Sequence, residues 1–200
     1  MNIKESLKKF WNFLKADTWQ SWIVSLILLI VFVKFIFFPI MSLLTGTPLP
    51  LVIVESCSMY HSSDFENFWA QQGAWYEAHG ITKEQFQQFP FKNGLNKGDI
   101  LFVLGRTNIS KGDVIIFNAG SAHPLIHRIV AENPESLATK GDHNSDQLKP
   151  ENNLYKLDET KIDPNNIVGE AKLKVLPLLG WVKLIFFEPF RSPSERGFCK

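Results

Sequence analysis

The 200-residue sequence has few cysteines and almost no net charge, and both shortages exclude classes of protein. Its two cysteines, Cys57 and Cys199, allow one disulfide but not the disulfide framework that holds small secreted domains together. Cysteine and histidine are not spaced as zinc ligands are, so we expect no metal centre. The net charge of +1 predicts no nucleic-acid partner, because nucleic-acid-binding domains carry a strongly basic surface.

A small-x-small cleavage motif is missing after the long apolar run at residues 21–44. A cleaved secretory signal needs that motif and a shorter apolar core. The run instead has the roughly 20 residues needed to cross a hydrocarbon core of about 30 Å. Lys34 interrupts the run at a cost of a few kcal/mol, and Pro39 either kinks the helix or ends it. We therefore predict an uncleaved transmembrane helix.

Lysine and arginine are absent between Lys34 and Lys83, whereas four lysines precede the apolar run. The positive-inside rule then puts the N-terminus in the cytoplasm. Residues 2–15 alternate apolar and lysine side chains at helical spacing, which predicts a basic amphipathic helix on the membrane surface; a short solvated helix is the alternative. The expected organisation is a cytoplasmic amphipathic segment over 1–20, a transmembrane anchor over 21–44 and an extracytoplasmic catalytic domain over 45–200.

The region beyond a short Gly/Pro linker is dominated by strand-like segments separated by Gly, Asn and Asp turns. This pattern predicts a mainly β fold with an antiparallel, barrel-like sheet. The predicted strands are 52–56, 98–105, 111–120, 125–132, 137–144 and 166–180.

Two stretches depart from the strand pattern. Residues 62–97 form an aromatic-rich insertion with two predicted helices, 64–79 and 82–89. This insertion either covers a site, contacts lipid or a partner, or forms a helical subdomain packed on its own aromatic side chains. The apolar tail 181–190 is too short to span a membrane, so it either touches the interface or closes the barrel.

Ser58, two residues after the end of the first predicted strand, is a candidate nucleophile. A serine hydroxyl is unreactive at neutral pH unless a base lies within hydrogen-bond reach. His127 lies inside a predicted strand, where a histidine is either a base on a rigid element or, more commonly, a satisfied core residue. Cys57 is a rival nucleophile, although on an extended segment its side chain should point away from that of Ser58. The other candidate bases are lysines and His61, His79, His123 and His143.

Asp142 and Asp146 are the candidate acids for orienting the base. Both lie in the turn at residues 139–146, where aspartates usually cap their own backbone, so neither is informative alone.

Five short motifs occur in one order after a single apolar anchor. They are SCSM at 56–59, GDILFV at 98–103, GDVIIF at 112–117, HPLIHRIV at 123–130 and TKGDHN at 139–144. Together they resemble the type I signal peptidases, and within that family the archaeal and endoplasmic-reticulum branch. In this branch a histidine takes the place of the lysine base of bacterial-type members, and no lysine lies within residues 112–139.

The resemblance implies a role for each matching residue. Ser58 is expected to be the nucleophile and His127 the general base, while Ser56 helps the Ser58 backbone N–H to stabilise the oxyanion. Asp142 matches the motif aspartate after Lys-Gly. Asp146 is the acid nearest to a second family position that orients the histidine, and which of the two aspartates does so stays open.

The resemblance also implies a signal-peptidase-type fold and a serine endopeptidase that removes signal peptides from secretory preproteins at the cytoplasmic membrane. The expected partners are those preproteins and the lipid bilayer, with accessory subunits left open, and no cofactor is expected. The alternatives are a protease for a dedicated surface protein and a non-catalytic membrane-anchored binding module. Three features depart from the family: Cys57 replaces a usual glycine, Tyr60 and His61 follow Met59, and the insertion 62–97 is additional.

Overall fold

The computed structural model of the protein describes residues 2–106, 108–120, 123–153 and 156–200. The chain forms two compact units, and the boundary between them falls after Leu44. The first unit begins with helix α1, Ile3–Leu14, and continues into α2, Trp19–Phe32. Thr18 caps α2, because its hydroxyl accepts a hydrogen bond from the Ser21 N–H at 3.3 Å.

A π-helical turn, Val33–Phe37, joins α2 to α3, Phe38–Thr45. Pro39 lacks the N–H that an α-helix would donate to the preceding turn, and the wider π-turn just before it accommodates that loss. The helix is therefore continuous from Trp19 to Thr45, and at 27 residues it is long and apolar enough to cross a membrane. Pro39 does not end it.

The second unit is built on a six-stranded antiparallel sheet with the spatial order β1-β2-β6-β3-β4-β5. This confirms the predicted mainly β fold class, and every predicted strand is present. The strands are β1 Leu51–Ile53, β2 Ile100–Leu104, β3 Val114–Phe117, β4 Leu125–Glu132, β5 Leu137–Lys140 and β6 Ile167–Leu176. The bounds of β4 are those predicted, β1 begins one residue earlier and ends three earlier than predicted, and the other four strands are shorter than predicted.

The sheet curls until the chain after one edge strand meets the chain after the other. Beyond β1, the Ser58 carbonyl accepts the N–H of His143 at 2.8 Å. Beside it, the Asp142 N–H lies 3.5 Å from Met59 Sδ. Register shifts in three of the strand pairs allow the bending, because an extra residue kinks a strand and increases its twist.

The central strand β3 is buried on both faces. Val114 and Ile116 join one apolar cluster with Met59, whereas Ile115 and Phe117 join another. This follows from the two-residue period of a strand. Because Met59 is fully buried in the first cluster, the chain directly after Ser58 is fixed in position.

The insertion contributes α4, Phe65–Ala78, and α5, Lys83–Gln88. Asp64 caps α4, and α5 opens with a capping box. Their aromatic side chains pack on one another and on apolar residues of β4 and β5. The buried cluster is Phe68, Trp69, Tyr76, Ile81, Phe86, Val130 and Ala138. The insertion is thus part of the domain core.

The tail after β6 forms the short helix α6, Trp181–Leu184, and two 3₁₀ turns, Glu188–Phe190 and Pro193–Glu195. Beyond Leu176 the described chain has no strand, so the tail does not close the barrel by pairing. Its apolar side chains, Phe186 and Phe190 among them, are largely exposed. Contact of this segment with a membrane interface stays a prediction.

Candidate active site

Ser58 lies in a tight turn rather than on a strand. Strand β1 ends at Ile53, and the Tyr60 N–H donates to the Cys57 carbonyl at 3.0 Å, which closes the turn. The Ser58 hydroxyl oxygen is 3.1 Å from that of Ser56. The two hydroxyls that the sequence pointed to therefore share one site.

His127 is held by an acid that sequence reasoning missed. Its Nδ1 is 2.5 Å from Glu159 Oε1, and the side chains of His127 and Glu159 are 2 % and 0 % exposed. Glu159 also accepts hydrogen bonds from the Thr139 hydroxyl at 2.9 Å and the Leu148 N–H at 2.7 Å. An ionised carboxylate only accepts, so His127 donates from Nδ1 and keeps Nε2 free to accept a proton.

The Nε2 atom of His127 faces the Ser58 turn across Gly141. A Cβ atom placed on Gly141 would lie 2.9 Å from His127 Nε2 and 2.9 Å from the Ser58 carbonyl oxygen. Any side chain at Gly141 would therefore fill the space between them. Within the described part of the chain, Ser58 Oγ hydrogen-bonds to Ser56 and not to His127.

Asp142 lies on the other face of β4 from His127. Arg128 donates from Nε to Asp142 Oδ1 at 2.9 Å and from Nη2 to Oδ2 at 2.7 Å. Adjacent strand residues point to opposite faces of a sheet, so Asp142, which is bound to Arg128, lies on the face opposite to the His127 imidazole. The expectation that Asp142 orients His127 is not matched by a contact, and a catalytic role for Asp142 stays a prediction.

Two residues of the insertion side complete the shell of Asp142. The Tyr76 hydroxyl donates to Oδ1 at 2.8 Å, and His61 Nε2 lies 3.0 Å from Oδ2. Burial alone would raise the pKa of Asp142. The Arg128 charge and the hydrogen bonds from His61 and Arg128 outweigh burial and hold that pKa well below its usual range. This buried network joins the insertion to the loop that borders the Ser58 turn.

Lys140 lies beside this network, under the rings of Trp75 and Tyr76 at 5.0 Å from each centroid. Its Nζ donates to the Gly141 and Asp142 carbonyls at 3.2 and 3.3 Å. Burial lowers the pKa of Lys140 to about 8, although nearby carboxylates oppose the shift. The lysine thus supports the loop from the insertion face, opposite to His127.

Asp146 is a surface residue. It accepts hydrogen bonds from Lys149 Nζ and Trp75 Nε1, each at 3.0 Å. The hydrogen bond from Lys149, then that from Trp75, lower the pKa of Asp146 to about 2. No described contact joins it to His127, whose partner Glu159 lies 13 residues further along the chain.

The remaining candidates from the sequence occupy other positions. His79 stacks on Trp75, His61 is buried against Phe68, and the exposed His143 contributes its backbone N–H to Ser58. Cys57 forms a disulfide with Cys199, so it has no thiol to act as a rival nucleophile. Among the described residues, no group of three or more acid, histidine or cysteine side chains could hold a metal ion.

No family model matches the chain, but curated proteins do. The signal peptidase complex catalytic subunit SEC11 of Debaryomyces hansenii is 34 % identical over 101 residues, which cover 46 % of this chain and 58 % of that protein. The chain is similar to SEC11. The protein of that name from Pyricularia oryzae is 28 % identical over 110 residues, or 50 % of this chain and 62 % of the relative.

A longer match is found with SEC11 of Chaetomium globosum, which is 26 % identical over 156 residues, or 74 % of this chain and 70 % of the relative. For the relatives from Debaryomyces hansenii and Pyricularia oryzae, by contrast, the chain spans less than two thirds of the relative's length. The resemblance to the endoplasmic-reticulum branch of type I signal peptidases is confirmed by these similarities.

Proposed function

We propose that the protein is a membrane-anchored serine endopeptidase that removes signal peptides from secretory preproteins. The observation that carries the proposal is the buried His127–Glu159 pair, whose free Nε2 faces the turn of Ser58 across Gly141. The similarity to the SEC11 catalytic subunits supports the same reaction. The reaction needs no cofactor, because the three side chains supply nucleophile, base and orienting acid.

In the first step, Ser58 Oγ attacks the scissile carbonyl and His127 Nε2 takes its proton. A rotation of the Ser58 side chain from Ser56 towards His127 precedes attack, and such hydrogen bonds often tighten only when substrate is bound. Glu159 keeps the imidazole in the accepting tautomer and stabilises the imidazolium that forms. His127 then gives the proton to the leaving amine, and water releases the acyl group by the reverse sequence.

The Ser56 hydroxyl and the Ser58 backbone N–H stabilise the oxyanion of the tetrahedral intermediate. One donor of this kind lowers the barrier by about 3–4 kcal/mol. Asp142 acts at one remove, because it holds the loop at Gly141 through Arg128 instead of touching the histidine. Asp146 has no part in proton transfer in this mechanism.

The substrate binds as an extended strand along the free edge of β1. Among the described strands, β1 pairs with β2 alone, so alternate backbone groups on its other side are available for a peptide. Side chains at alternate positions of the peptide then enter shallow pockets, which select small residues. The pairing brings the scissile bond along β1 towards Ser58.

The apolar helix Trp19–Thr45 anchors the protein in the cytoplasmic membrane, with the N-terminal lysines inside and the catalytic domain outside. The Cys57–Cys199 disulfide supports this orientation, because such bonds persist in oxidising compartments and are rare in the cytosol. Confinement to the membrane brings enzyme and preprotein together in two dimensions. Accessory subunits are among the partners, since the relatives are named as subunits of a complex.

The test is cleavage of a model preprotein by the full chain in detergent. Ser58→Ala and His127→Ala are each expected to abolish cleavage while the circular dichroism spectrum is unchanged, and His127→Lys tests whether a lysine can replace the base. His79→Ala, which removes an exposed histidine stacked on Trp75, is the matched control and keeps full activity. Retained cleavage by Ser58→Ala or His127→Ala would refute the mechanism.

A companion measurement addresses the substrate range. Depleting the protein from its cells and comparing the N-termini of all secreted proteins separates a general signal peptidase from a protease for one surface protein. A general enzyme leaves many preproteins uncut, whereas a dedicated one leaves a single uncut product. A wild-type chain that cleaves no preprotein at all points to the non-catalytic binding module.

A further inference from the structure

The C-terminal tail, defined here as residues 181–199, folds back onto the start of the sheet. The Trp181 indole N–H donates to the Lys97 carbonyl at 2.9 Å, and its ring packs 4.4 Å from that of Phe198. The same indole lies so close to Gly98 that a Cβ there would be 2.3 Å from it. The tail is therefore seated on the turn that leads into β2, the only strand paired with β1 among those described.

The tail also holds Glu55, the residue before Ser56. Lys183 Nζ and Arg191 Nη2 lie 3.1 and 2.8 Å from the two oxygens of the Glu55 carboxylate. Burial alone would raise the pKa of Glu55, but the hydrogen bond and charge of Lys183, with those of His123 and Arg191, keep it below its ordinary value. Two cations of the tail thus fix the chain on one side of Ser56.

On the other side of Ser56, the tail is bonded covalently. Cys57 and Cys199 form a disulfide with their Cα atoms 5.5 Å apart. Cys57 is also the first residue of the turn that carries Ser58, because its carbonyl accepts the Tyr60 N–H. The tail is therefore bonded to the residues on both sides of Ser56. It forms ion pairs with Glu55 and a disulfide with Cys57, the first residue of the turn that contains Ser58.

The tail is itself braced against the sheet. Lys97 Nζ forms an ion pair with Glu188 Oε1 at 2.7 Å and also donates a hydrogen bond to the Glu195 carbonyl at 2.6 Å. Lys97 is almost completely buried by these contacts. Because the tail is itself held in place at Lys97, its bonds to Glu55 and Cys57 fix the positions of these two residues.

We propose that the C-terminal tail is a positioning element for the nucleophile: the Cys57–Cys199 disulfide and the ion pairs at Glu55 hold Ser56 and Ser58 in their reactive arrangement. This inference rests on the proposed peptidase function. Cys57, Cys199 and Arg191 touch neither the substrate nor the reacting atoms, so they act through the two serines. Misplacement of a reacting group by 1 Å costs about 100-fold in rate, which makes such bracing consequential.

The first test compares the full-length wild type with Cys199→Ser in detergent, using a model preprotein and separate measurements of kcat and KM. We expect at least an approximately tenfold loss of kcat with KM unchanged within about twofold, because the docking edge is intact while the nucleophile is displaced. Dithiothreitol should lower the wild-type kcat to the same level and leave Cys199→Ser unaffected. In that reaction the dithiol passes two electrons and two protons to the bond, giving two cysteine thiols and the reagent's cyclic disulfide.

The second test disturbs the ion pairs and leaves the disulfide intact. Arg191→Ala should lower kcat by several-fold and Arg191→Lys should restore most of it. Arg106→Ala, whose guanidinium bonds only to the Pro164 carbonyl among the described contacts, is the matched control and should be unchanged. If Cys199→Ser proves unfolded by circular dichroism, the Arg191 series and the dithiothreitol titration of the folded wild type decide.

The outcomes separate the tail from the peptidase. If the wild type cleaves and Ser58→Ala does not, but reduction and Arg191→Ala both leave kcat within about twofold, the positioning role is overturned and the peptidase stands. A proportional rise of KM with constant kcat also overturns it, because the tail would then bind substrate. If the oxidised wild type cleaves no preprotein, the peptidase and the positioning role fall together.

Discussion

At the scale of single residues, two neighbours on β4 have separate tasks because a strand alternates its faces. His127 points towards Glu159, which also accepts the Thr139 hydroxyl, and Arg128 points towards Asp142 and the insertion. The acid that pairs with the histidine is therefore not the one in the TKGDHN motif. Glu159 has three donors around its carboxylate, which fixes it as firmly as the imidazole it holds.

Glu159→Gln is expected to lower kcat by about 100-fold or more with little change in fold, because an amide can offer its N–H to Nδ1 and favour the wrong tautomer. The measurement is preprotein cleavage by the detergent-solubilised chain. Asp146→Asn is the matched control, since it also removes one carboxylate charge, and it should retain activity. A large loss in Asp146→Asn with none in Glu159→Gln would assign the orienting role to Asp146.

At the scale of elements, the insertion is fastened to the sheet through charge as well as through its aromatic side chains. Arg128 lies 4.7 Å from the Phe86 centroid, while Asp142 receives the hydroxyl of Tyr76. Ion and ring contacts of this kind are strong when water is excluded. The helices α4 and α5 therefore hold the loop at Gly141 from the side opposite to His127.

Asp142→Asn should destabilise the protein by about 3–5 kcal/mol at neutral pH, because Arg128 is left buried without its counter-charge. The folded-state pKa of Asp142 lies below its unfolded value, so its stabilisation is present above about pH 4 and is lost as the pH falls further. In denaturant titrations, the difference between the free energies of unfolding of wild type and variant should therefore be constant above about pH 4 and should shrink as the pH falls below that value. A difference that stays constant below about pH 4 as well would contradict the assignment.

The elements were largely predictable from sequence, and the pairings were not. Strand and helix patterns depend on nearest neighbours, so β4 and the helices of the insertion appear in the sequence at nearly their observed bounds. Glu159 lies in a polar stretch without periodicity, and its approach to His127 depends on how β5 and the following loop fold. Cys199 is the one other cysteine in the sequence, so the possible partner of Cys57 was evident, but at a separation of 142 residues no local pattern shows whether the disulfide forms.

At the scale of the whole molecule, the chain combines an apolar helical unit with a β unit whose tail exposes further apolar side chains. The helix is long enough to span a membrane, and Phe190 in the tail is 88 % exposed. Soluble monomeric proteins rarely expose large contiguous patches of apolar side chains. Lysines cluster before the helix, and this asymmetry is what sets the expected orientation.

Cysteine labelling of intact spheroplasts tests that orientation. No free cysteine is present among the described residues, so an introduced one is the reactive thiol. A membrane-impermeant maleimide should label Glu135→Cys, on the exposed turn before β5, in intact cells. It should label Lys9→Cys, in α1, only after the membrane is permeabilised. The opposite pattern would place the β unit in the cytoplasm.

The disulfide between Cys57 and Cys199 also sets an order of events during synthesis. Cys199 is added 142 residues after Cys57, and five of the six strands are synthesised in that interval. At about 5–20 residues per second, that interval lasts on the order of ten seconds. If the proposed peptidase function and the proposed role of the tail both hold, the protein is inactive until Cys199 has been added and has formed its disulfide with Cys57.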